Sequence, residues 1–279
     1  MTALPSGIPS LTAYDDLLGT DAFRSLRAAA SEFLALHADL LTSYRRRWVS
    51  DPLHQWSRQW EYPYAWQRIE ELTRRSDHTP FRVLDAGSGV TFFPYLLSRR
   101  LDVEVTCVDS DHRLASPHHQ LRQRTGVSVA FKSADLRRLP EPDGSFDIAY
   151  CLSVLEHTAG RNDIVSELSR VLRPGGVLVV SFDIALDADS DISLADAELL
   201  LRSLRDAFPC GDALDADSLS AAAKTPGSLS TLAIAERDRT LMPWPHPLVC
   251  LLRTLRKGRL PRRLGYTNLT CACYSVARP

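Results

Sequence analysis

The sequence predicts a doubly wound α/β fold that begins near residue 81. Short apolar runs such as "FRVLDAG" and "FDIAYCLSV" are continuous rather than alternating, which is typical of parallel strands buried on both faces. Stretches with helical periodicity, such as "FPYLLSRRL", separate these runs. Strands and helices that alternate in this way favour a parallel sheet with right-handed crossovers.

The elements follow one another in order along residues 81–186. The expected strands contain "FRVLDAG", "VEVTCVDS", "VSVAFKSADL", "FDIAYCLSV" and "VLVVSFDIAL", and the chain closes with a strand-like run, "LTCACYSVARP". The expected helices contain "FPYLLSRRL", "SPHHQLRQRTG", "AGRNDIVSELSRVL" and "SLADAELLLRSLRDAF". The third helix has basic residues in its last turn and is followed by Pro174, Gly175 and Gly176, which are typical of a helix end. The pattern does not assign residues 210–230.

The N-terminal part of the chain has a different pattern. Its first twenty residues are rich in Pro, Ser, Thr and Gly and are expected to be irregular. Thr20 is placed as the N-cap of one long amphipathic helix that reaches Tyr44. His37 lies on the apolar stripe of this helix, and we interpret it as a packing residue.

The composition narrows the class of protein. A net charge of −1 gives no overall basic surface for nucleic acid. The first residues lack the basic and apolar regions of a signal peptide, and no apolar run is long enough to span a membrane. The six cysteines form no C-x-x-C pair, so we expect no metal site, no disulfide framework and a cytoplasmic protein. Cys271 and Cys273 should share one face of a strand.

The glycine turn "DAGSG" selects between two classes of ligand. A dinucleotide site needs a third glycine, where this chain has Phe92, and its pyrophosphate would be repelled by Asp85. S-adenosylmethionine carries an ammonium and a sulfonium instead, so a carboxylate beside the turn is favourable. Gly87 and Gly89 would let the backbone approach this ligand closely. The turn therefore predicts a cationic cofactor.

Two more acids follow the next strands. Asp109 ends the second strand and can accept hydrogen bonds from both ribose hydroxyls. Asp135 ends the third strand, where its carboxylate and the N–H of Leu136 can contact the adenine edge. Each acid could instead cap the following helix. Three acids at successive strand ends favour ligand binding.

Residues 81–181 resemble class I S-adenosylmethionine-dependent methyltransferases. The motifs that carry the resemblance are "VLDAGSG", "VDSD", "SADLRRLP", "FDIAYCLSVLEH" and "LRPGGVLVVS". The third small residue of the first motif is Thr91 here, a mild departure. The resemblance implies a Rossmann-like seven-stranded sheet with helices on both faces and S-adenosylmethionine as the cofactor. It also implies that Asp85, Gly87, Gly89, Asp109 and Asp135 contact the cofactor, with Ser153 nearby.

An aromatic cluster precedes the first strand. It comprises Trp48, Trp56, Trp60, Tyr62, Tyr64 and Trp66. These side chains could be plain core, since the N-terminal helices must pack on the sheet. They could also cover the active site, because the resemblance implies a closing segment here and aromatic faces attract a sulfonium. We place Trp60, Tyr62 and Tyr64 in a short irregular piece at the edge of this lid.

His157 follows the fourth strand in "VLEHT" and is the candidate general base for an O- or N-acceptor. It could equally make a structural hydrogen bond, and Glu156 is a weaker candidate. The basic run at residues 253–263 is either a solvated face or a binding edge for an anionic substrate or a carrier protein.

The expected organisation is a helical cap over residues 1–77 and an α/β domain over residues 78–279, with a variable insertion at about residues 187–265. The expected function is methyl transfer to a small-molecule acceptor, with a role in specialised metabolism. One alternative is transfer or cyclisation of the aminocarboxypropyl group with release of methylthioadenosine. Another is a non-catalytic binding protein. The sequence does not specify the acceptor or the oligomeric state.

Overall fold

The computed structural model describes residues 3–45, 52–75, 80–186, 192–242 and 267–279. These residues form one seven-stranded sheet in the order β3-β2-β1-β4-β5-β7-β6. The strands are β1 Phe81–Ala86, β2 Val103–Asp109, β3 Val129–Ser133, β4 Phe146–Leu152, β5 Leu172–Ala185, β6 Cys210–Gly211 and β7 Leu269–Ala277. Strands β1 to β5 are parallel, and β7 runs antiparallel between β5 and β6. The predicted fold class is confirmed.

The order of the strands determines where a ligand can bind. From β1 the chain builds β2 and β3 on one side, and it then crosses to build β4 and β5 on the other side. The crossover makes the gap between β1 and β4 a topological switch point, and ligands of open α/β sheets bind beside the carboxyl ends of the strands at such a point. We call the carboxyl ends of β1 to β5 the ligand edge.

Helices cover both faces of the sheet. They are α1 Leu11–Leu18, α2 Asp21–Leu36, α3 Ala38–Arg45, α4 Arg58–Arg74, α5 Phe93–Leu101, α6 Ala115–Thr125, α7 Arg161–Val171, α8 Leu194–Ala207, α9 Ala216–Lys224 and α10 Thr231–Arg237. Val83 and Val105 face a hydrophobic cluster shared with α1, α2 and α4. Leu84 and Val108 face a second cluster shared with α7 and α8. No helix among the described residues is both long and apolar enough to cross a membrane.

The N-terminal residues are more ordered than the sequence predicts. Helix α1 is capped by the side chain of Ser10, and Gly7 pairs with Cys273 of β7. The expectation of twenty irregular residues is therefore wrong. Thr20 does cap the next helix, because its hydroxyl accepts a hydrogen bond from Phe23 N. The expected long helix is divided at His37, whose φ of −118° is not helical.

The secondary structure of the aromatic segment "WEYPYAW" also differs from the prediction. The segment lies inside α4 rather than in an irregular piece, although Pro63 removes one backbone donor from this helix. Trp60 and Tyr64 lie one turn apart on α4, and both of them and Ile69 are fully buried. The burial of these side chains offsets the cost of the proline. Trp48 and the basic run at residues 253–263 lie outside the described residues, and the division of the chain at residue 78 stays a prediction.

Candidate cofactor site

The glycine turn is anchored to the end of β2. The N–H groups of Gly87 and Ser88 both donate to Val108 O, at 2.8 Å and 3.1 Å. Gly87 has a φ of +80°, and a Cβ there would lie 2.5 Å from Val154 Cγ2. Both the backbone conformation and the close approach therefore require glycine at this position.

Asp109 and Gly89 are in direct contact. The Asp109 carboxylate accepts hydrogen bonds from Gly89 N at 3.0 Å through Oδ2 and from Asp111 N at 2.9 Å through Oδ1. These bonds hold the glycine turn and the loop after β2, whereas the N-cap of the following 3₁₀ turn is Asp111. A carboxylate offers about four lone-pair sites, so these two bonds leave acceptor capacity for ribose hydroxyls. The ribose role of Asp109 stays a prediction.

His118 holds the other side of the same glycine. Its Nε2 lies 2.7 Å from Gly89 O, and its Nδ1 lies 2.8 Å from the Tyr95 hydroxyl. A carbonyl oxygen can only accept, so Nε2 carries the proton and Nδ1 accepts from the tyrosine. Burial lowers the pKa of His118 to about 4, which keeps the ring neutral. The ring also stacks on Phe131 with its centroid 4.7 Å away. Neither motif nor spacing marked His118 in the sequence.

Asp85 lies in a row of buried groups across three strands. Its register partners are Cys107 on β2 and Tyr150 on β4, so the three side chains share one face of the sheet. The Cys107 thiol is 3.8 Å from Asp85 Oδ2. Burial raises the pKa of Asp85 to about 7. A carboxyl in this state gains from a nearby cation, which fits a ligand with an ammonium and a sulfonium.

Asp135 has a different environment from Asp85. Its carboxylate is exposed and binds the Arg137 guanidinium at 2.5 Å and the Arg137 N–H at 2.9 Å. The hydrogen bond from Arg137 lowers the pKa of Asp135 to about 2. Leu136 turns inward and is buried in the core. The adenine contacts of Asp135 and Leu136 stay predictions.

Residues around this site are similar to known methyltransferases. Residues 84–180 match a family profile described as "Methyltransferase domain". These residues, about a third of the chain, form a class I S-adenosylmethionine-dependent methyltransferase domain. The resemblance drawn from the motifs is confirmed, as is S-adenosylmethionine as the cofactor of the domain.

Relatives resemble mainly this methyltransferase domain. The chain is 35% identical over 104 residues to a demethylmenaquinone methyltransferase of Deinococcus radiodurans, which is 37% of this chain and 43% of that protein. It is 31% identical over 119 residues to a 27-O-demethylrifamycin SV methyltransferase of Amycolatopsis mediterranei, which is 42% of this chain and 43% of that protein. The chain thus spans less than half the length of these two relatives.

Solved structures share the fold over a longer stretch. A [4+2]-cyclase, SpnF, aligns with a TM-score of 0.52 and 20% identity over 99% of both chains. A geranyl diphosphate methyltransferase in complex with GPP and sinefungin aligns with a TM-score of 0.53 and 15% identity, over 76% of this chain and 78% of that chain. At these identities the similarity shows the fold alone.

Ser153 lies where the methyltransferase domain meets α4. It follows β4 with a φ of +50°, which is unusual for a residue other than glycine. Its hydroxyl donates to Glu61 Oε1 at 2.7 Å and accepts from the Arg58 guanidinium, which also pairs with Glu61. Sequence reasoning missed Arg58 and Glu61, because they lie more than 90 residues from their partner.

His157 and Glu156 have opposite environments. Both belong to the 3₁₀ turn Leu155–His157 after β4, where His157 is exposed and Glu156 is buried. Among the residues that the structure describes, neither carboxyl oxygen of Glu156 has a hydrogen-bond partner. Burial, with a contribution from Asp183, raises the pKa of Glu156 well above its usual value. The catalytic role of His157 stays a prediction.

The three aromatic residues of the predicted lid occupy different places. Tyr62 packs against the rings of Phe92 and Phe93, with centroids 5.4 Å and 4.9 Å away, directly after the glycine turn. Trp60 and Tyr64 are fully buried, and the Tyr64 hydroxyl donates to Asp212 at 2.9 Å. Only Tyr62 thus has a described contact beside the glycine turn, and the substrate-facing role of the three side chains stays a prediction. Within the described ranges, no group of three His, Cys, Asp or Glu residues could hold a metal ion.

Proposed function

We propose that this protein transfers the methyl group of S-adenosylmethionine to a small-molecule acceptor. The observation that carries the proposal is the glycine turn, held at the switch point between Asp109 and His118 with the buried Asp85 beside it. These groups lie inside the confirmed methyltransferase domain. The carboxylates complement a cationic ligand that has ribose hydroxyls, and they would repel a pyrophosphate.

The chain's own residues supply binding and position. When bound, S-adenosylmethionine supplies a methyl carbon on a sulfonium, which is the reactive centre. Asp109 would hold the ribose, and Gly87 and Gly89 would let the backbone approach the ligand. The aromatic contacts of Tyr62 with Phe92 and Phe93 would keep water from the edge of the site.

We propose a hydroxyl group of a small specialised metabolite as the acceptor. Support comes from the names of relatives, which include a 27-O-demethylrifamycin SV methyltransferase and an O-methyltransferase of Aspergillus nomiae. A hydroxyl of low acidity must lose its proton during transfer, and His157 is the proposed base for this step. Its exposed side chain on the turn after β4 would meet the acceptor from the solvent side.

Mass spectrometry of nucleoside products tests the proposal. The purified protein is incubated with S-adenosylmethionine, alone and with a panel of phenolic, enolic and alcoholic polyketides and quinones. We expect S-adenosylhomocysteine only when an acceptor is present, together with a product heavier by one methylene. Methylthioadenosine without an acceptor would overturn methyl transfer in favour of chemistry on the aminocarboxypropyl group. No nucleoside product under any condition, with cofactor bound, would favour a binding protein.

A further inference from the structure

The Asp85 carboxyl is buried among neighbours that include no described cation. Its register partners, Cys107 on β2 and Tyr150 on β4, are both buried beside it in the sheet. Further titratable groups close to it are Asp109, Tyr95 of α5 and Cys151. Among the described groups that shift the pKa of Asp85, none is a cation. Burial of a carboxylate is costly unless hydrogen-bond donors or a cation offset the lost hydration.

The Tyr150 hydroxyl is the donor best suited to this carboxyl. Burial raises the pKa of Asp85, and the nearby Tyr150 hydroxyl opposes that rise. The hydroxyl itself has no hydrogen-bond partner among the residues that the structure describes. Burial and the Asp85 carboxyl raise the pKa of Tyr150 well above its usual value, so the hydroxyl keeps its proton and can donate. The Cys107 thiol, 3.8 Å from Asp85 Oδ2, is a weaker donor.

Aromatic contacts hold the ring of Tyr150 in place. The ring packs edge to face with Phe93, with a centroid distance of 5.4 Å and an interplanar angle of 83°. Phe93 begins α5 shortly after the glycine turn and also packs against Tyr62, with centroids 4.9 Å apart. Packing on this scale restricts the orientation of the phenol relative to Asp85. A phenylalanine at position 150 would keep the ring contacts and remove only the hydroxyl.

We propose that Tyr150 is a positioning residue for the cofactor, whose hydroxyl donates to the Asp85 carboxylate and keeps this acid charged for the cation of S-adenosylmethionine. A buried donor without a bond and a buried acid without a cation are adjacent in the register of β1 and β4. Tyr150 acts through Asp85 and does not itself touch the reacting atoms. This inference rests on the proposed function, because the cation is that of the cofactor.

The proton of Asp85 moves in a defined direction. In the free protein the pKa of Asp85 is about 7, so the acid is half protonated near neutral pH. An arriving cation favours the carboxylate, so the Asp85 proton leaves to solvent and the Tyr150 hydroxyl donates to the carboxylate that remains. Without the hydroxyl, the carboxylate lacks a donor, and Asp85 should hold its proton about 10-fold more tightly.

A carboxyl titration tests the effect of Tyr150 on Asp85 directly. The full chain is labelled with carbon-13 at the aspartate carboxyls, and NMR follows their signals from pH 5.5 to 8.5 in the parent and in Tyr150→Phe. The signal that is absent from Asp85→Asn belongs to Asp85. We expect its midpoint to rise by about one pH unit in Tyr150→Phe, which corresponds to the 10-fold tighter proton. An unchanged midpoint would overturn the inference.

Calorimetry with two ligands connects this titration to the cofactor. S-adenosylmethionine is cationic, and methylthioadenosine carries neither the ammonium nor the sulfonium. At pH 7.5 we expect Tyr150→Phe to bind S-adenosylmethionine about 3-fold more weakly and methylthioadenosine with the Kd of the parent. The loss should vanish at pH 5.5, where Asp85 holds its proton in both proteins. It should also vanish when Tyr150→Phe is added to Asp85→Asn, because the two residues then no longer interact.

Tyr274→Phe is the matched control. Tyr274 is a buried tyrosine on β7 of the same sheet, but it faces the second hydrophobic cluster. It should leave the Asp85 midpoint and both Kd values unchanged. Equal weakening of the two ligands by Tyr150→Phe, or a loss that persists in the Asp85→Asn background, would mean a structural role and overturn the inference.

The parent protein separates the two proposals. If it binds both ligands and Tyr150→Phe changes neither the midpoint nor the ratio of the Kd values, the inference alone is overturned. Binding of neither ligand by the parent would overturn the proposed function, and the inference with it. Circular dichroism identifies a variant that does not fold. If Tyr150→Phe is such a variant, the same titration and Kd ratios are measured on Tyr150→Met, which also lacks the hydroxyl, and they decide the outcome.

Discussion

The two sides of the ligand edge are built differently. On the β1–β3 side, Gly89 is held by Asp109, 20 residues away, and by His118, 29 residues away. On the β4 side, Ser153 is held by Glu61 and Arg58, 92 and 95 residues away. The first side is assembled from neighbouring strand-turn-helix units, and the second needs the N-terminal helices to pack on the sheet. A short motif can therefore encode the first side but not the second.

This difference corresponds to a predicted division of roles. On the β1–β3 side, Asp109 is the predicted contact of the ribose, and the glycine turn is predicted to lie against the nucleoside. The β4 side carries the buried Glu156 and the exposed His157, and α4 contributes charge and aromatic rings to it. Cofactor binding should therefore respond to single changes on the first side, and acceptor choice to changes on the second.

The largest expected effect is from Gly87→Ala. Its Cβ would lie 2.5 Å from Val154 Cγ2 and 2.7 Å from Val154 Cγ1, and the φ of +80° adds strain. We expect the turn to shift and the affinity for S-adenosylhomocysteine to fall by about 100-fold or more. Calorimetry measures this loss. Gly126→Ala is the control, because Gly126 has a φ of +67° but an added Cβ would meet no atom of the described residues within 4 Å. Equal affinity losses in both variants would contradict a role for the close contact.

The sequence predicts the β1–β3 side well, for physical reasons. Continuous apolar runs identify buried parallel strands, and the residues that follow each run must lie at the ligand edge. This reasoning places Asp85, Asp109 and the glycines at the ligand edge, where the structure has them, and their cofactor contacts stay predictions. Thr20 was found as a helix cap from local signals alone. The sequence does not predict the hydrogen-bond partner of each acid, such as Arg137 for Asp135.

The second expected effect is from Asp109→Ala. The change removes a charged acceptor from Gly89 N and from the predicted ribose contacts, and losses of about 1.5–3 kcal/mol are typical of charged hydrogen bonds. We expect S-adenosylhomocysteine to bind about 10- to 100-fold more weakly. The Kd from calorimetry is the readout. Asp111→Ala serves as the control, since the exposed Arg113 is its ion-pair partner. Unchanged affinity in Asp109→Ala would remove this acid from the site.

Long-range packing limits what the sequence reveals on the other side. "WEYPYAW" contains a proline, which predicts irregular chain, yet the burial of Trp60 and Tyr64 stabilises a helix there. The first twenty residues look irregular, yet Gly7 pairs with β7 at the far end of the sequence. In both places the tertiary contacts outweigh local preference. Arg58 and Glu61 contact Ser153 only because α4 packs on the sheet, so no local pattern in the sequence marks them.

The third expected effect is from His118→Phe. Phenylalanine keeps the ring that stacks on Phe131 but leaves Gly89 O and the Tyr95 hydroxyl without this partner. We expect about 10-fold weaker binding of S-adenosylhomocysteine, because a loosened Gly89 misplaces the turn. His118→Gln keeps a donor and should recover part of the affinity.

His119→Phe is the matched control for this position. His119 is the next residue on α6 and its side chain is exposed. It should leave the Kd unchanged. A His118→Phe variant with reduced thermal stability but the parent's affinity would show that His118 supports the fold without positioning the turn.

The smallest expected effect concerns protons on Asp85. Burial raises its pKa to about 7 in the folded protein, from 3.8 in an ordinary environment. Between these values the folded state holds a proton that the unfolded state has lost, so folding stability falls as pH rises from about 4 to 7. The total loss is on the order of 2–4 kcal/mol. The Asp85→Asn variant lacks this titration. Its free energy of unfolding, relative to that of the parent, should therefore increase with pH and level off above pH 7.

Urea unfolding at several pH values measures this difference in stability. At pH 8, Asp85→Asn should be more stable than the parent and bind S-adenosylmethionine a few-fold more weakly, because the cation loses its carboxylate. Asp135→Asn is the comparison, since Arg137 lowers the pKa of Asp135 to about 2. The difference in unfolding free energy between Asp135→Asn and the parent should not change above pH 4. A pH-independent difference in unfolding free energy between Asp85→Asn and the parent would contradict the raised pKa, because Asp85 would then be ionised over the whole pH range.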